Sequence, residues 1–306
     1  MNRQDFELLV LGTSAATPAY GRNVSGQLLN LAQRLFLIDC GEGTQMQLRR
    51  FNARMQSIGH ILISHLHGDH FFGLPGLLSS MHLLGRKTPL HLYAPPDLQE
   101  LLERVNVVSQ TRLNYEIIWH TTSDKGLNLL FEDDKLCLYS FPLRHRIFCT
   151  GFLFVEKPLQ RKVDKEMLEK LKISVADIRL LKNGHDVINS EGKLIKNSEV
   201  TYEPPPPRSY AYCSDTIFDE GLEAYFKNVD LLYHESTFLN EEQERAAKTF
   251  HSTAGQAAQV ALKTGASKLM LGHFSARYAD TDVLLQEAQA VFPNTVLAID
   301  GKKISI

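Results

Sequence analysis

The stretch His65, Leu66, His67, Gly68, Asp69 and His70 decides how the fold is interpreted. It follows an apolar run at residues 61–63 and precedes residues 71–76, so three imidazoles and one carboxylate lie where a strand ends and the backbone turns toward a helix. Imidazole and carboxylate are ligands that zinc and similar divalent ions prefer. We therefore expect a loop that serves two metal ions, as in two-metal hydrolases. The alternatives are a solvated turn or one incidental metal site.

Length and composition are those of an ordinary globular protein. The 306 residues, 43% hydrophobic and 22% charged, allow one large or two smaller domains. The formal net charge of −2 argues against indiscriminate nucleic-acid binding, although it leaves room for a local basic patch. No apolar run is long enough to span a bilayer, and no apolar signal region follows Met1. We expect a cytoplasmic protein that does not enter a membrane.

The four cysteines show no Cys-x-x-Cys pairing. Cys40, Cys137, Cys149 and Cys213 all fall in apolar, strand-like runs. We therefore expect buried free thiols rather than disulfides or metal ligands.

Strand and helix patterns alternate along most of the chain. We predict strands over residues 6–12, 24–31, 35–39, 61–63, 90–93, 115–120, 127–132, 136–141, 148–155, 209–213, 229–233, 268–271 and 295–300. We predict helices over residues 45–51, 74–84, 95–105, 164–171, 175–181 and 254–263. A strand-rich start followed by interleaved helices favours two sheets packed face to face with helices outside.

Residues 156 to about 208 differ in composition from the rest of the chain. They are rich in Lys and Arg with Asp and Glu interspersed, and they end in four prolines at 204–207, typical of an extended spacer. We predict a single domain over residues 1–306 with this segment inserted as a protruding arm. The arm either grips a large polyanionic partner or is a solvated insertion of mixed charge.

Further candidate functional residues stand at the ends of predicted elements. His145, Asp215 and His273 each come just after a predicted strand. A carboxylate at a strand end can bridge two ions, although an isolated Asp there is more often a cap or turn residue. His251 precedes Ser252 and Thr253, either of which is a natural cap for the helix that follows, so His251 lies beside the positive end of that helix.

Taken together, these motifs resemble those of the metallo-β-lactamase superfamily and, within it, the short form of the ribonuclease Z family. The matching stretches are residues 12–14 with Pro18, Arg22 and Asn23, residues 36–45, residues 65–70, residues 234–237 and residues 251–253. The resemblance runs from about residue 6 to residue 299 and is weakest across 156–208.

The resemblance implies an α/β fold, a four-layer αββα sandwich with metals at the sheet edges. It implies an endonuclease that removes the 3′ trailer from precursor tRNA, leaving a 3′-hydroxyl on the tRNA and a 5′-phosphate on the trailer. Two Zn²⁺ ions per chain and a homodimer are also implied, with the inserted segment as the substrate-binding arm.

Roles for individual residues follow from the resemblance. His65, His67 and His145 would hold one zinc, Asp69, His70 and His273 the other, and Asp215 would bridge them. Asp69 would also orient or deprotonate the attacking water, and His251 would act as general acid. Our candidate substrate contacts are Arg22, Asn23, Arg49, Arg50 and Glu235.

Three positions depart from the family pattern. Tyr20 stands where the family loop Pro-x-Lys-x-Arg-Asn carries lysine. Residues 172–181 contain neither glycine nor proline, whereas the family arm has a Gly-Pro-rich tip. Ser236 replaces an alanine, a small change that we expect to be neutral.

Two other functions remain open from the sequence. A hydrolase of the same fold that acts on small phosphodiesters or related esters would keep the metals but not the arm's affinity for RNA. A non-catalytic RNA-binding protein would carry a vestigial site with fewer than two ions.

Overall fold

This computed structural model describes residues 5–306. The first four residues, in which we expected no signal region, lie outside it. The chain forms two compact units. The larger unit comprises the residues up to Asp133, Cys137–Phe154 and Ser209–Ile306, and the smaller unit comprises Asp134–Leu136 and Val155–Arg208. Across the described range, no helix has both the length and the hydropathy needed to cross a bilayer.

The first half of the chain supplies nine strands and four helices. In chain order these are β1 (Phe6–Gly12), β2 (Gly26–Leu31), β3 (Arg34–Cys40), α1 (Thr44–Arg50), β4 (Ile58–Leu62), α2 (Gly68–Phe71), α3 (Leu74–Leu83), β5 (Leu90–Ala94), α4 (Asp97–Val108), β6 (Ile117–Thr121), β7 (Asn128–Glu132), β8 (Leu136–Pro142) and β9 (Thr150–Glu156). A 3₁₀ turn over Met55–Ser57 precedes β4.

The second half contains the elements of the smaller unit and then the rest of the larger one. The smaller unit has β10 (Lys162–Val163), α5 (Lys165–Lys170), α6 (Val175–Lys182), β11 (Val187–Ile188), β12 (Leu194–Ile195), α7 (Asn197–Val200) and β13 (Thr201–Tyr202). After it come β14 (Ser209–Cys213), β15 (Leu231–Glu235), α8 (Gln243–Thr249), α9 (Ala254–Thr264), β16 (Leu269–Gly272), α10 (Asp282–Gln289), β17 (Thr295–Leu297) and β18 (Lys303–Ser305).

Two seven-stranded sheets form the centre of the fold. One sheet has the order β18-β1-β2-β3-β4-β5-β6, and the other has the order β17-β16-β15-β14-β9-β8-β7. Strands β3 to β6 are parallel, as are β14 to β17. Because parallel strands share one carboxyl edge, each sheet brings the residues that follow its parallel strands to one side, where α/β proteins place their ligands.

The two sheets pack face to face through apolar side chains. The ring of Phe36 on β3 lies 5.3 Å from that of Phe154 on β9 and 6.3 Å from that of Phe131 on β7. Helix α3 packs outside the first sheet, where Leu74, Leu77, Leu78 and Met81 belong to the same buried cluster as the β4 strand residues. Helices on the outer faces of two packed sheets confirm the predicted αββα sandwich.

Most predicted elements are present, with ends displaced by one to three residues. The predicted strand at 295–300 ends at Leu297, because Asp300 instead accepts hydrogen bonds from the Thr13 hydroxyl and the Asn23 backbone N–H. Helices α8 and α10 were not predicted. Helix α10 buries only Leu284 and Ala288, which is too sparse an apolar pattern to stand out in the sequence. All four cysteines are free, as predicted, but only Cys40, Cys149 and Cys213 are buried, whereas Cys137 is partly exposed.

The smaller unit has an apolar cluster of its own. Leu168, Leu181, Val187, Ile195 and Val200 are buried together. Both predicted helices are present as α5 and α6, each with a capped N-terminus: the Asp164 carboxylate accepts from two backbone N–H groups of α5, and the Ser174 hydroxyl accepts from one of α6. Within the turn-rich stretch 184–196, the short strands β11 and β12 pair.

A stack of aromatic rings crosses β4, β5 and β6 in the first sheet. The His60 ring stacks on Phe36 at 4.6 Å and on His91 at 5.0 Å, and the Tyr93 and His120 rings stack at 4.3 Å. Burial, together with the neighbouring His91 and His120, lowers the pKa of His60 to about 3. The stack is therefore built from neutral imidazole.

Acid should destabilise the chain through His60. The unfolded imidazole takes up a proton near pH 6.5, whereas the folded one does so only near pH 3, so the stabilisation is present above pH 6.5 and is lost as the pH falls from 6.5 toward 3. Below pH 6.5, the free energy of unfolding should fall more steeply for the unchanged protein than for His60→Phe. The difference between the two slopes should reach up to about 1.4 kcal/mol per pH unit. Urea unfolding of both proteins in chelator at pH 7, 6 and 5 measures this, and parallel pH profiles would contradict it.

Candidate active site

Seven side chains converge at the carboxyl edge of the larger unit, and they are the ones expected to bind metal. One group contains His65, His67, His145 and Asp215, and a second contains Asp69, His70 and His273; in each, one ligand atom per residue lies within 4.8 Å of the others. Asp215 also lies within this distance of His251 and His273. The structure thus brings together residues separated by up to 208 positions in the sequence.

The loop after β4 has this shape because it packs tightly against the turn after β3. A Cβ atom at Gly41 would lie 2.2 Å from the backbone oxygen of Asp69, so only glycine fits there. A Cβ atom at Gly68 would lie 2.3 Å from the ring of Phe72. Helix α2 begins at Gly68, directly after His67, and this turn separates the first two histidines from Asp69 and His70.

Spacings in the first group fit a tetrahedral metal ion. The His67 Nδ1 atom lies 3.0 Å from His65 Nε2 and 3.1 Å from His145 Nε2, and Asp215 Oδ2 lies 3.5 Å from His65 Nε2. Ligands bonded to zinc at about 2.0–2.1 Å lie about 3.3 Å apart in a tetrahedron. Nitrogen lone pairs this close repel one another unless a proton or a cation lies between them, so a cation fits this group.

The second group has the same spacing and shares Asp215 with the first. His70 Nε2 and His273 Nε2 lie 3.3 Å apart, and the Asp69 Oδ2 atom lies 3.4 Å from His273 Nε2. Asp215 Oδ1 lies 3.3 Å from both imidazole nitrogens but accepts no hydrogen bond of normal geometry, although it is buried. An unpaired buried carboxylate oxygen is costly. Its two oxygens face different groups, which suits a carboxylate that bridges two cations.

Oxygen atoms outside the cluster fix how two of the imidazoles point. His70 Nδ1 lies 2.8 Å from the Asp39 carboxylate, and His145 Nδ1 lies 2.9 Å from the backbone oxygen of Phe250. Each outer nitrogen therefore donates its hydrogen to an oxygen, and the inner Nε2 presents its lone pair to the cluster. This arrangement is typical of histidines that ligate metal.

Asp39 holds the metal loop in place through hydrogen bonds. Its side chain is fully buried, and its carboxylate accepts hydrogen bonds from the backbone N–H and hydroxyl of Ser64 and from the Tyr212 hydroxyl, in addition to His70. Asp39 adopts a left-handed φ of 55°, which Asp tolerates better than most residues. Since Ser64 precedes His65, the same carboxylate positions both ends of the metal loop.

His251 is held by a buried carboxylate. Its Nδ1 lies 2.8 Å from Glu235 Oε1, and the Thr237 hydroxyl donates to the other oxygen of Glu235 at 2.7 Å. Burial lowers the pKa of His251, but the Glu235 charge and hydrogen bond, aided by Asp215, outweigh burial and raise it to about 9. The Thr237 oxygen in turn accepts from His273 Nδ1 at 2.9 Å, which links the general-acid candidate to the second ligand group.

Buried carboxylates dominate the electrostatics of the cluster. Burial lowers the pKa of His70, but Asp215, Asp69 and Asp39 together raise it well above its usual value. Burial raises the pKa of Asp215, yet His273, His70 and His65 hold it well below its usual range. The cluster therefore favours bound positive charge at neutral pH.

A cavity of about 690 Å³ opens onto this cluster. Asp69, Asp215 and His251 line it, and the Phe72 ring stands at the same cavity with 67% of its surface exposed. Arg146 also lines it. The cavity is thus open to solvent and large enough for part of a polymer.

The candidate substrate contacts lie elsewhere. Arg22, Asn23, Arg49, Arg50 and Glu235 are not among the residues that line this cavity. The Arg22 guanidinium donates to the backbone oxygen of Tyr278 at 2.7 Å, and Asn23 donates to Asp300. Arg49 and Arg50 are exposed in α1, and Glu235 is fully buried with its carboxylate turned to His251. A role for any of them in substrate binding stays a prediction.

Sequence reasoning did not find four residues that contribute to the site. Ser64 and Thr237 bond to the ligand histidines, and Phe72 and Arg146 line the cavity. Adjacency to a ligand was the available signal for Ser64, beside His65, and for Arg146, beside His145. No signal in the sequence distinguishes Thr237 from other strand-end threonines.

Comparisons with known proteins agree with this geometry. A family model described as Anti-Pycsar protein Apyc1 matches residues 6–117, less than half of the chain. A relative named Ribonuclease Z, from Bacteroides fragilis, is 45% identical over 304 residues, covering 99% of this chain and 100% of that protein. Human tRNase Z, short form, has a crystal structure with TM-score 0.71 and 28% identity, covering 98% of this chain and 99% of that chain. The metallo-β-lactamase fold protein YhfI from Bacillus subtilis superposes with TM-score 0.70 at 16% identity over 99% and 100% of the two chains, so the fold is shared.

Replacing Asp39 should weaken metal binding without touching a ligand. In Asp39→Asn the charge that orients His70 is lost, and loss of such an outer partner typically weakens metal affinity about 10–100-fold. Competition with a chromogenic chelator measures zinc affinity directly, with Asp97→Asn, an exposed carboxylate of α4, as the control. If Asp39→Asn remains folded by circular dichroism and binds zinc as tightly as the control, the organising role of Asp39 is wrong.

Proposed function

Because this chain belongs to the ribonuclease Z family, we propose that it is an endoribonuclease that removes the 3′ trailer from precursor tRNA with two bound Zn²⁺ ions. The single observation that carries the two-ion proposal is the buried Asp215 carboxylate, whose two oxygens face two separate groups of imidazoles. A cluster of histidines with a purely structural role would not need a carboxylate placed between two groups of imidazoles.

The reaction is a balanced hydrolysis. Water attacks the phosphorus, the bond from phosphorus to the ribose 3′ oxygen breaks, and the tRNA keeps a 3′-hydroxyl while the trailer keeps a 5′-phosphate. The seven ligands would hold two divalent ions, which would supply the Lewis acidity that lowers the pKa of the water and neutralises the phosphate oxygens. The side chains supply orientation and protons.

Asp69 is placed to orient the attacking water, and it is the carboxylate nearest to receive its proton. Its Oδ2 atom accepts a hydrogen bond from the Ala16 backbone N–H at 2.8 Å, so the carboxylate is fixed at the cavity wall. His70 and His273, beside it, keep the pKa of Asp69 well below its usual value despite burial, so it stays ionised. An ionised, immobilised carboxylate suits a general base.

His251 is placed to protonate the leaving 3′ oxygen. Because Nδ1 is occupied by Glu235, the ring can donate from Nε2, and His251 lines the cavity. The raised pKa of His251 keeps it protonated at neutral pH, which a general acid requires. We accordingly assign Glu235 to the orientation of His251, rather than to contact with RNA.

The smaller unit is proposed to be the substrate-binding arm. Residues 156–208 carry eleven Lys and Arg against nine Asp and Glu, a net positive charge in a chain whose overall charge is −2. Lys162, Lys165 and Lys170 are exposed. Exposed cations of this kind bind phosphates without reading sequence, which suits an arm that grips tRNA.

We also propose that the protein is a cytoplasmic homodimer. Exposed apolar side chains support the dimer: Met46 on α1 is 69% exposed, and Leu83 and Leu84 at the end of α3 are 78% and 61% exposed. Helices α1 and α3 lie side by side, since Gln45 donates to the Ser80 hydroxyl. A monomeric mass in sedimentation equilibrium would contradict the dimer. The precursor tRNA substrate supports the cytoplasmic assignment.

Cleavage of a 3′-extended precursor tRNA by zinc-loaded protein tests the function. We expect a cut just after the discriminator base, because the active site accepts the junction between the acceptor stem and the trailer. In Asp215→Ala both ligand groups lose a member, so turnover should fall to background, while Asp97→Ala should cut normally. Mapped product ends give the site of cleavage. Hydrolysis of a small phosphodiester with the precursor left whole would contradict the proposal.

Removing the general acid should slow the chemical step. With His251→Ala we expect single-turnover cleavage at saturating enzyme to slow by about 10²–10⁴-fold, with binding of the precursor nearly unchanged. His185→Ala, which removes an exposed histidine of the smaller unit, is the control. Equal rates for the two variants would remove His251 from the mechanism.

A further inference from the structure

We propose that Arg146 binds the substrate phosphate next to the scissile one, on the tRNA side of the cut. This inference rests on the proposed function. It adds a specificity residue that neither the metal-ligand pattern nor the general-acid assignment provides.

The charge of the residues around the cavity favours this role for Arg146. Among the described residues that line the active-site cavity, Arg146 is the one Lys or Arg, and the fixed charges beside it are the carboxylates of Glu42, Asp69 and Asp215. An RNA that enters this cavity brings several phosphates, and each needs a counter-charge beyond the metal cluster. A guanidinium, which is always protonated and presents paired N–H donors, is well suited to a phosphate.

The Arg146 guanidinium has no carboxylate partner among the described residues. Within the described chain, the contact of the Arg146 side chain is with His67, where Nη2 lies 3.2 Å from Nε2. His67 already turns Nδ1 toward His65 and His145, so in the ligand role its Nε2 carries the hydrogen. With a hydrogen on both nitrogens, this 3.2 Å contact sets donor against donor, so the Arg146 guanidinium gains by turning to an anion. A phosphate oxygen beside the two nitrogens can accept from both.

The loop between β8 and β9 holds the Arg146 backbone in place, while the Arg146 side chain is exposed. The His145 backbone N–H donates to Leu143, the Leu143 N–H donates to Cys149, and the Arg144 N–H donates to the Thr216 hydroxyl. The loop between β8 and β9 is therefore pinned on both sides of Arg146. The exposed side chain can adjust to a phosphate without moving the His145 ligand.

The position of His251 gives the direction along the RNA. The His145 ring lies 4.9 Å from that of His67, which Arg146 contacts, and 5.3 Å from that of His251, so we place Arg146 on the side of the cluster where the leaving oxygen is protonated. That oxygen is the 3′ oxygen of the tRNA. The phosphate within reach of Arg146 is therefore the one 5′ of the last tRNA nucleotide, not one in the trailer.

The test compares Arg146→Ala with Arg144→Ala, which removes an exposed guanidinium two residues earlier that does not line the cavity. We expect kcat/KM for precursor tRNA to fall about 10–100-fold in Arg146→Ala alone, as for loss of a charged hydrogen bond, with Arg146→Lys intermediate. The slope of log(kcat/KM) against log salt concentration should become shallower by about 0.7–0.9, the change for one phosphate contact. Zinc content should match the unchanged protein, and hydrolysis of a small phosphodiester should be unaffected.

A modified substrate identifies the phosphate. With a neutral methylphosphonate at the linkage 5′ of the last tRNA nucleotide, the unchanged protein should lose as much as Arg146→Ala does, and the variant should lose nothing further. Additive losses, or an Arg146→Ala variant whose kcat/KM and salt slope match those of Arg144→Ala, would overturn the inference while the proposed function stands. A protein that leaves the precursor whole would overturn both.

Discussion

The buried carboxylate of Asp39 is the interaction on which the site depends. It accepts hydrogen bonds from Ser64, His70 and Tyr212, and thereby joins the turn after β3, the loop after β4 and strand β14 of the opposite sheet. A charge this deep is tolerated only when its hydrogen bonds are satisfied, so the surrounding backbone has little freedom. The loop that carries His65, His67, Asp69 and His70 is rigid for this reason, and rigidity is what a site for two closely spaced ions requires.

The sheets supply the rest of the geometry. Parallel strands in both sheets end at one edge. Asp215 after β14 and His273 after β16 therefore lie beside the loop after β4. The result is a cluster in which buried carboxylates favour positive charge among closely spaced imidazoles. A cation bound there would add stability to the folded state.

The sequence alone reveals the ligands that are close together in the chain and little about those that are far apart in it. His65 to His70 are informative because four candidate ligands, three histidines and one aspartate, lie within six residues. Strands β1 and β3 are evident because their sequences are nearly continuous apolar runs, which matches their burial in the structure. His145, Asp215 and His273 could be assigned only through a family resemblance, since a lone strand-end histidine or aspartate has many uses. Adjacency to His145 was the one signal for Arg146, and nothing in the sequence assigned a role to Thr237, because their contacts reach across the chain to His67 and His273. Glu235, expected near the substrate, lies buried behind His251 for the same reason.

We propose that two ions are held at one sheet edge by seven side chains that offer only oxygen and nitrogen donors. Calorimetric titration of metal-free protein with Zn²⁺, combined with X-ray absorption at the zinc edge, measures the number of ions and the elements bound to them. We expect two ions per chain and a shell of nitrogen and oxygen without sulfur. One ion per chain, or a sulfur ligand from any of the four cysteines, would contradict the account.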